Sequence, residues 1–225
     1  MNLIEEAAKR LRQLEAAGVV RTSHAPQDGA QPRLVPAEPG KRAAEVRPAP
    51  ARTLDLARLQ ASGLITPTLR HSKLLQEFRL IKRPLIKHAL ERSATQAPNR
   101  NLIMVTSAMP DEGKSFVAVN LAMSLAMEVD CRVLLVDADV LAPSIPEVLR
   151  IEPAKGLMDV LTGAGTPLRE TLLSTNVERL SLLLAGTPHS NAAEFLASDA
   201  MTRLLAELSS RYPDRIVVFD SPPLL

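Results

Sequence analysis

The feature that most constrains this chain is a loop with a glycine-lysine-serine triplet, placed between an apolar run and a helix-like segment. The loop, residues 108–115 (AMPDEGKS), follows the apolar residues 102–106 and leads into a helical pattern at 114–127. In such a strand–loop–helix unit, backbone N–H groups and the positive end of the helix dipole attract phosphate. Lys114 can reach the β- and γ-phosphates of a nucleotide, and the Ser115 hydroxyl can bind Mg²⁺. The loop therefore predicts a site for a nucleoside triphosphate with magnesium.

Three further apolar runs are typical of buried strands. The first run, at 133–136, is followed by Asp137 and Asp139. The second run, at 180–184, is followed by Ala185 and Gly186, and the third, at 216–219, is followed by Asp220. Helical spacing of apolar side chains precedes the last run, at Leu196, Met201, Leu204, Leu205 and Leu208. Strands that alternate with helices form parallel βαβ units, whose strands end at one common edge of the sheet. We therefore expect an α/β fold with a mostly parallel sheet and flanking helices, in which the three aspartates meet the loop.

A plainer interpretation stays open at this point. Ala108 replaces the first glycine of the usual G-x-x-x-x-G-K-[ST] pattern, and a glycine-lysine-serine triplet also arises by chance. The three strand-end aspartates would then only cap the segments that follow them.

The chain ahead of residue 100 divides into three segments by composition. Residues 1–18 predict an amphipathic helix ended by a glycine, which could dock on a partner, lie on a membrane surface or pack on its own domain. Residues 19–52 are rich in proline, alanine and charge, and they predict a flexible linker. Residues 53–99 predict a helical segment that Pro84 interrupts or kinks. The nucleotide-binding domain is expected over residues 100–225.

Charge and composition argue against several classes of protein. The formal net charge is +2 and aromatic residues make up 2% of the chain, so neither a strong electrostatic footprint for nucleic acid nor a base-stacking platform is indicated. Cys131 is the only cysteine, which excludes a disulfide framework, and the histidines lack the spacing of metal ligands. No apolar run approaches the ~20 residues that span a bilayer, and no signal peptide is recognisable. We expect a cytoplasmic protein that does not bind nucleic acid.

Taken together, the motifs resemble those of the bacterial tyrosine kinases of polysaccharide export. The resemblance rests on the loop, on residues 136–139 (VDAD), on residues 218–223 (VFDSPP) and on residues 185–191 (AGTPHSN). With residues 77–84 (EFRLIKRP), the amphipathic N-terminus and the proline-rich linker, the chain is most similar to the exosortase-associated tyrosine autokinase subgroup. The resemblance implies a P-loop NTPase fold of the SIMIBI type, preceded by a helical and disordered extension.

The resemblance also implies roles for individual residues, with ATP and Mg²⁺ as cofactors. Lys114 would bind phosphates and stabilise the transferring phosphoryl group. Ser115 would be a Mg²⁺ ligand, and Asp220 would orient the ion. Asp137 would assist the ion and accept the proton of an incoming tyrosine hydroxyl, with support from Asp139. The remaining nucleotide contacts would come from Pro110, Asp111, Glu112, Gly113 and Phe116.

The implied partners are a membrane-spanning regulator of polysaccharide chain length, which would activate the kinase and recruit it to the inner membrane, and protein tyrosine substrates. A homo-oligomer is also implied, because relatives form rings through a Glu-x-x-Arg-x-x-Arg helix. Here the aligned positions are Gln76, Arg79 and Lys82, so an ordinary solvated basic face is an equal expectation.

The sequence departs from the family pattern in three places. Leu141 and Ala142 stand where relatives often carry an arginine. The sequence ends at Leu225, before the tyrosine-rich tail of the family, which predicts a C-terminal truncation. The only tyrosine, Tyr212, is expected to be structural or on the surface, with a role as phosphate acceptor as the alternative. Two alternatives therefore stay open, a non-catalytic nucleotide-binding scaffold and an ATPase of the partitioning and cell-division group, although Met109 stands where the latter carries a lysine.

Overall fold

A computed structural model describes residues 51–90, 99–163, 165–211 and 215–224. All of them belong to the unit that runs from Val46 to Leu225. The expected N-terminal helix at 1–18, nearly all of the expected linker and Tyr212 lie outside the described residues. The last two linker positions, Ala51 and Arg52, form a short strand instead.

The strands of the described part form one sheet in the order β1-β4-β5-β3-β6-β2. Their bounds are β1 (Ala51–Arg52), β2 (Leu102–Val105), β3 (Arg132–Asp137), β4 (Leu173–Thr175), β5 (Leu180–Leu183) and β6 (Arg215–Asp220). Neighbouring strands are parallel except β4 and β5, which are antiparallel. This confirms the predicted mostly parallel sheet, and each of the four apolar runs forms one of its strands.

Helices cover both faces of this sheet. Within the described residues they are α1 (Leu56–Ala61), α2 (Lys73–Leu90), α3 (Lys114–Ala126), α4 (Ile145–Leu149), α5 (Leu157–Leu161), α6 (Leu168–Thr171), α7 (Ala192–Leu196) and α8 (Asp199–Arg211). Helix α2 runs through Pro84, so the interruption expected there is absent. No helix of the described ranges has the length and apolar character needed to cross a bilayer.

Alternation along β3 creates two hydrophobic cores. Val133 and Leu135 face a cluster that includes α1 to α4, whereas Leu134 and Val136 face a cluster that includes α5 to α8. Successive side chains of a strand point to opposite faces, so an unbroken apolar run is the pattern of a strand covered on both sides. Helix α3, which begins at the lysine of the loop, is itself almost entirely buried. The core thereby fixes the loop at the edge of the sheet.

Lys82 has a different environment from the one that the sequence suggested. Its side chain is only 5% exposed, and its Nζ donates to the Ser124 carbonyl oxygen and pairs with Glu128 Oε1, both at 2.7 Å. Ser124 lies in the last turn of α3, where carbonyl groups lack helical partners and a cation is favoured. Gln76 and Arg79 are exposed. Lys82 therefore ties α2 to the end of α3 and is not part of a solvated basic face.

We expect Lys82→Met to lower the free energy of unfolding by about 2–4 kcal/mol, because it removes a buried charge-assisted hydrogen bond and the partner of Glu128. Urea unfolding followed by circular dichroism measures this change. Arg79→Met, on the exposed side of the same helix, is the matched control and should change stability by less than about 0.5 kcal/mol. Equal effects of the two variants would contradict the proposed tie.

Candidate active site

Three strands end at the same level of the sheet, at the edge where the predicted loop begins. Asp220 pairs in register with Val105 of β2 on one side and with Asp137 of β3 on the other. The segments after β2, β3 and β6 therefore emerge next to each other. Thr106 Oγ1 donates to the Pro222 carbonyl oxygen at 2.7 Å, which joins the first of these segments to the third.

The loop between β2 and α3 has the backbone that close approach of an anion requires. Asp111 and Gly113 adopt left-handed conformations, with φ of 63° and 87°. Space next to the Gly113 Cα is open, and Gly113 caps α3 without a side-chain hydrogen bond. Glu112 Oε2 accepts hydrogen bonds from the backbone N–H groups of Ala108, at 2.9 Å, and Met109, at 3.1 Å. Its carboxylate thus shapes the start of the loop, and alanine at position 108 is compatible with it.

Lys114 forms an ion pair with the second aspartate of the β3 motif. Its Nζ lies 2.8 Å from Asp139 Oδ2, and both side chains are largely buried. Burial works against the charged lysine, but the hydrogen bond and the charge of Asp139, with smaller contributions from Asp220 and Asp137, raise the pKa of Lys114. Asp139 Oδ1 also accepts from the Ala142 N–H at 3.2 Å. The Lys114 ammonium group is therefore held beside the loop by Asp139.

Asp137 and Asp220 form a buried pair of carboxyl groups behind this ion pair. Burial, and then the charge of Asp220, raise the pKa of Asp137 to about 7. Burial also raises the pKa of Asp220, while the nearby Ser115 hydroxyl and Lys114 act in the other direction. Asp137 Oδ2 accepts from the Ile145 N–H at 3.3 Å, whereas Asp137 Oδ1 and both oxygens of Asp220 have no hydrogen-bond partner. Buried carboxylate oxygens without partners are the ligands that a small divalent cation needs.

A second hydroxyl group joins the predicted Ser115 at this position. Ser144 precedes α4, and its Oγ donates to Ser115 Oγ at 2.6 Å. The Ser144 hydroxyl also lies close enough to Asp220 to act against the rise in the pKa of that carboxyl group. Neither serine, however, forms a hydrogen bond with an Asp220 oxygen. The sequence analysis did not single out Ser144. The available signal was its position, five residues after Asp139 in the same segment.

A cavity of about 590 Å³ lies in front of these groups. It is lined by Pro110, Asp111, Gly113, Lys114, Ser115, Phe116, Asp139, Leu141, Ala142, Ser144, Val148, Pro222 and Pro223. Most predicted site residues thus line one space. Three do not: Glu112 supports the loop, and Asp137 and Asp220 lie buried beneath the cavity. Leu141 is 71% exposed at the rim of the cavity.

The side chains present fit Mg²⁺ and a nucleotide. No group of three or more His, Cys, Asp or Glu residues suited to hold a metal occurs in the described ranges. Mg²⁺ usually keeps several waters and combines one or two carboxylates with phosphate oxygens of the substrate. The unpaired oxygens of Asp137 and Asp220 and the Ser115 hydroxyl match that mode of binding. The cation of Lys114 and the open loop backbone match a triphosphate.

The loop that follows β5 is held by a residue that the sequence analysis also missed. Asp159 Oδ2 accepts from the N–H groups of Gly156, at 2.8 Å, and Thr187, at 3.1 Å, and its Oδ1 accepts from Thr187 Oγ1 at 2.7 Å. A Cβ on Gly156 would lie 1.9 Å from the Leu184 carbonyl oxygen, so only glycine fits there. These contacts fix the segment at 185–191 that resembles the family motif.

The chain is similar in sequence and fold to known proteins. Residues 99–223 match the family model described as ParA: NUBPL iron-transfer P-loop NTPase. The tyrosine-protein kinase YwqD of Bacillus subtilis is 37% identical over 123 residues, which cover 55% of this chain and 50% of YwqD. The crystal structure of the VpsO kinase domain is 31% identical, with a TM-score of 0.54 over 67% of this chain and 70% of that domain. The BceF tyrosine kinase domain is 30% identical, with a TM-score of 0.58 over 79% of this chain and 71% of that domain.

The chain spans no more than half the length of the first curated relatives that it matches.

Proposed function

Because the chain belongs to the P-loop NTPases of the ParA model and, more narrowly, to the bacterial tyrosine-protein kinases, we propose that it is an ATP-dependent protein-tyrosine autokinase. It would transfer the terminal phosphoryl group of Mg²⁺-ATP to tyrosine and thereby regulate the synthesis and export of exopolysaccharide or capsule. The observation that carries this proposal is the convergence of Lys114, Ser115 and Asp139 on one cavity at the ends of β2, β3 and β6, with the carboxyl groups of Asp137 and Asp220 buried beside it.

The residues divide the chemistry among them. Phosphoryl transfer depends on positioning and on neutralising charge, and part of that neutralisation would be supplied by Mg²⁺ when it is bound. Ser115, Asp137 and Asp220 would hold that ion. Lys114, kept in place by Asp139, would stabilise the negative charge that develops on the transferring group.

Asp137 is the candidate for the proton transfer. A base works best when its pKa lies near the operating pH, and in the metal-free protein burial and the charge of Asp220 raise the pKa of Asp137 to about 7. One oxygen of the Asp137 carboxyl group would contact Mg²⁺, and the other would accept the proton of a tyrosine hydroxyl. Asp139 cannot do this as readily, because its two oxygens are engaged by Lys114 and by the Ala142 N–H.

The partners follow from the same proposal. The first is a membrane-spanning regulator of polysaccharide chain length, which would activate the kinase and recruit it to the inner membrane. Protein tyrosines would be the acceptors, and assembly into a homo-oligomer would present them from one subunit to the next. Within the family, the residues 77–84 and 185–191 support a place in the exosortase-associated subgroup.

A phosphotransfer assay tests the proposed function. The purified chain is incubated with Mg²⁺, γ-labelled ATP and a glutamate-tyrosine copolymer, and we expect label on tyrosine that requires Mg²⁺. Release of inorganic phosphate without labelled tyrosine would favour an ATPase of the partitioning group. Nucleotide binding with neither product would favour a non-catalytic scaffold, and both outcomes would reject the kinase proposal.

A further inference from the structure

Ser144 lies at the point where the proposed ion site meets helix α4. Its hydroxyl donates to Ser115 Oγ at 2.6 Å, and the next residue, Ile145, donates its N–H to Asp137 Oδ2 at 3.3 Å. Ser144 is half-buried and lines the cavity. Two successive residues therefore contact two of the three groups proposed to hold Mg²⁺.

The hydrogen bond from Ser144 determines what the Ser115 hydroxyl can do. A serine hydroxyl has one proton to donate and two lone pairs to accept or coordinate with. With Ser144 donating into one lone pair, Ser115 keeps the second lone pair for a metal ion and its proton for an acceptor. The Asp220 carboxylate is an acceptor without a hydrogen-bond partner, and it lies close enough to both hydroxyl groups for them to act on its pKa. All the bonding positions of Ser115 Oγ are then assigned.

We propose that Ser144 is a positioning residue for the magnesium site, which orients the Ser115 hydroxyl so that one lone pair faces the ion. The proposal depends on one part of the proposed function, namely that Mg²⁺ binds together with a nucleotide. Groups that orient a metal ligand from behind typically affect metal affinity about 10–100-fold when they are removed. Ser144 also joins the ion site to α4, since the same turn of backbone holds Asp137 through Ile145.

A metal titration tests this role without any turnover. The affinity of the full chain for a fluorescent, non-hydrolysable ATP analogue is measured in EDTA and at stepped concentrations of Mg²⁺, for the wild type and for Ser144→Ala. We expect the Mg²⁺ concentration that gives half of the Mg²⁺-dependent gain in nucleotide affinity to be about 10-fold higher for the alanine variant than for the wild type. Its affinity in EDTA should stay within about 2-fold of the wild-type value, because the proposed role of Ser144 acts through the Ser115 hydroxyl and the ion.

Two further variants separate positioning from general damage. Ser144→Thr keeps the hydroxyl and should restore the wild-type Mg²⁺ requirement. Ser210→Ala removes an exposed hydroxyl that bonds only to the Ala206 carbonyl oxygen on α8, and it should leave the titration unchanged. An unchanged Mg²⁺ requirement in Ser144→Ala, or an equal loss of affinity in EDTA and in Mg²⁺, would overturn the proposal. Because nothing is phosphorylated, failure here is distinguishable from failure of the proposed kinase activity.

Discussion

Lys114→Ala is expected to reduce phosphoryl transfer to tyrosine at least about 100-fold, the usual effect of removing one preorganised group that stabilises charge in a transition state. The cation lies 2.8 Å from Asp139 at the mouth of the loop, and its raised pKa keeps it charged across the physiological range. When a nucleotide binds, the same cation can turn from Asp139 toward the outer phosphates. Alanine cannot supply that charge, so the effect should fall mainly on the rate of transfer.

The assay compares initial rates of tyrosine labelling at saturating Mg²⁺-ATP. Lys73→Ala is the matched control, because the Lys73 side chain is 91% exposed on α2 and pairs only loosely with Glu77, at 3.7 Å. The control should keep the wild-type rate. Lys114→Ala also leaves the buried Asp139 without its cation, so the melting temperature of each variant must be measured alongside. A Lys114→Ala protein that is folded and retains more than about one tenth of the wild-type rate would contradict the role of Lys114.

The parts of the site that could be predicted are those that a parallel sheet brings together. A loop after one buried strand and aspartates after two others must meet, since such strands end at one edge. The structure bears this out, because Val105, Asp220 and Asp137 are in register. Apolar runs identify the strands, as both faces of the sheet are covered.

Contacts between distant polar side chains could not be predicted. Ser144 and Ser115 are separated by 29 positions, and the position of Ser144 five residues after Asp139 does not by itself indicate a contact between the two hydroxyl groups. Lys82 occupies a helix rich in exposed charges, and only the packing of α2 on α3 shows that its ammonium group meets the carbonyl end of another helix. The short strands β1 and β4 have two and three residues, too few for a periodic signal.

In the metal-free protein, Asp137→Asn is expected to have a large effect on how the free energy of unfolding depends on pH. The folded-state pKa of Asp137 is about 7, well above the value of about 4 in an unfolded chain. Between these values the folded protein binds more protons than the unfolded chain. The stability contributed by the protonated carboxyl is therefore full below about pH 4 and is lost as the pH rises through about 7. This difference between the folded and unfolded pKa values corresponds to a loss of up to roughly 4 kcal/mol in the free energy of unfolding.

Asparagine has nearly the same shape and cannot ionise, so the variant should escape this loss. In EDTA, Asp137→Asn should be more stable than the wild type at pH 8, and the difference should shrink steadily toward pH 5. Urea unfolding at each pH measures it, with Asp130→Asn, at an exposed position before β3, as the control for the change of side chain. A difference that does not vary between pH 5 and pH 8 would show that Asp137 does not titrate in this range.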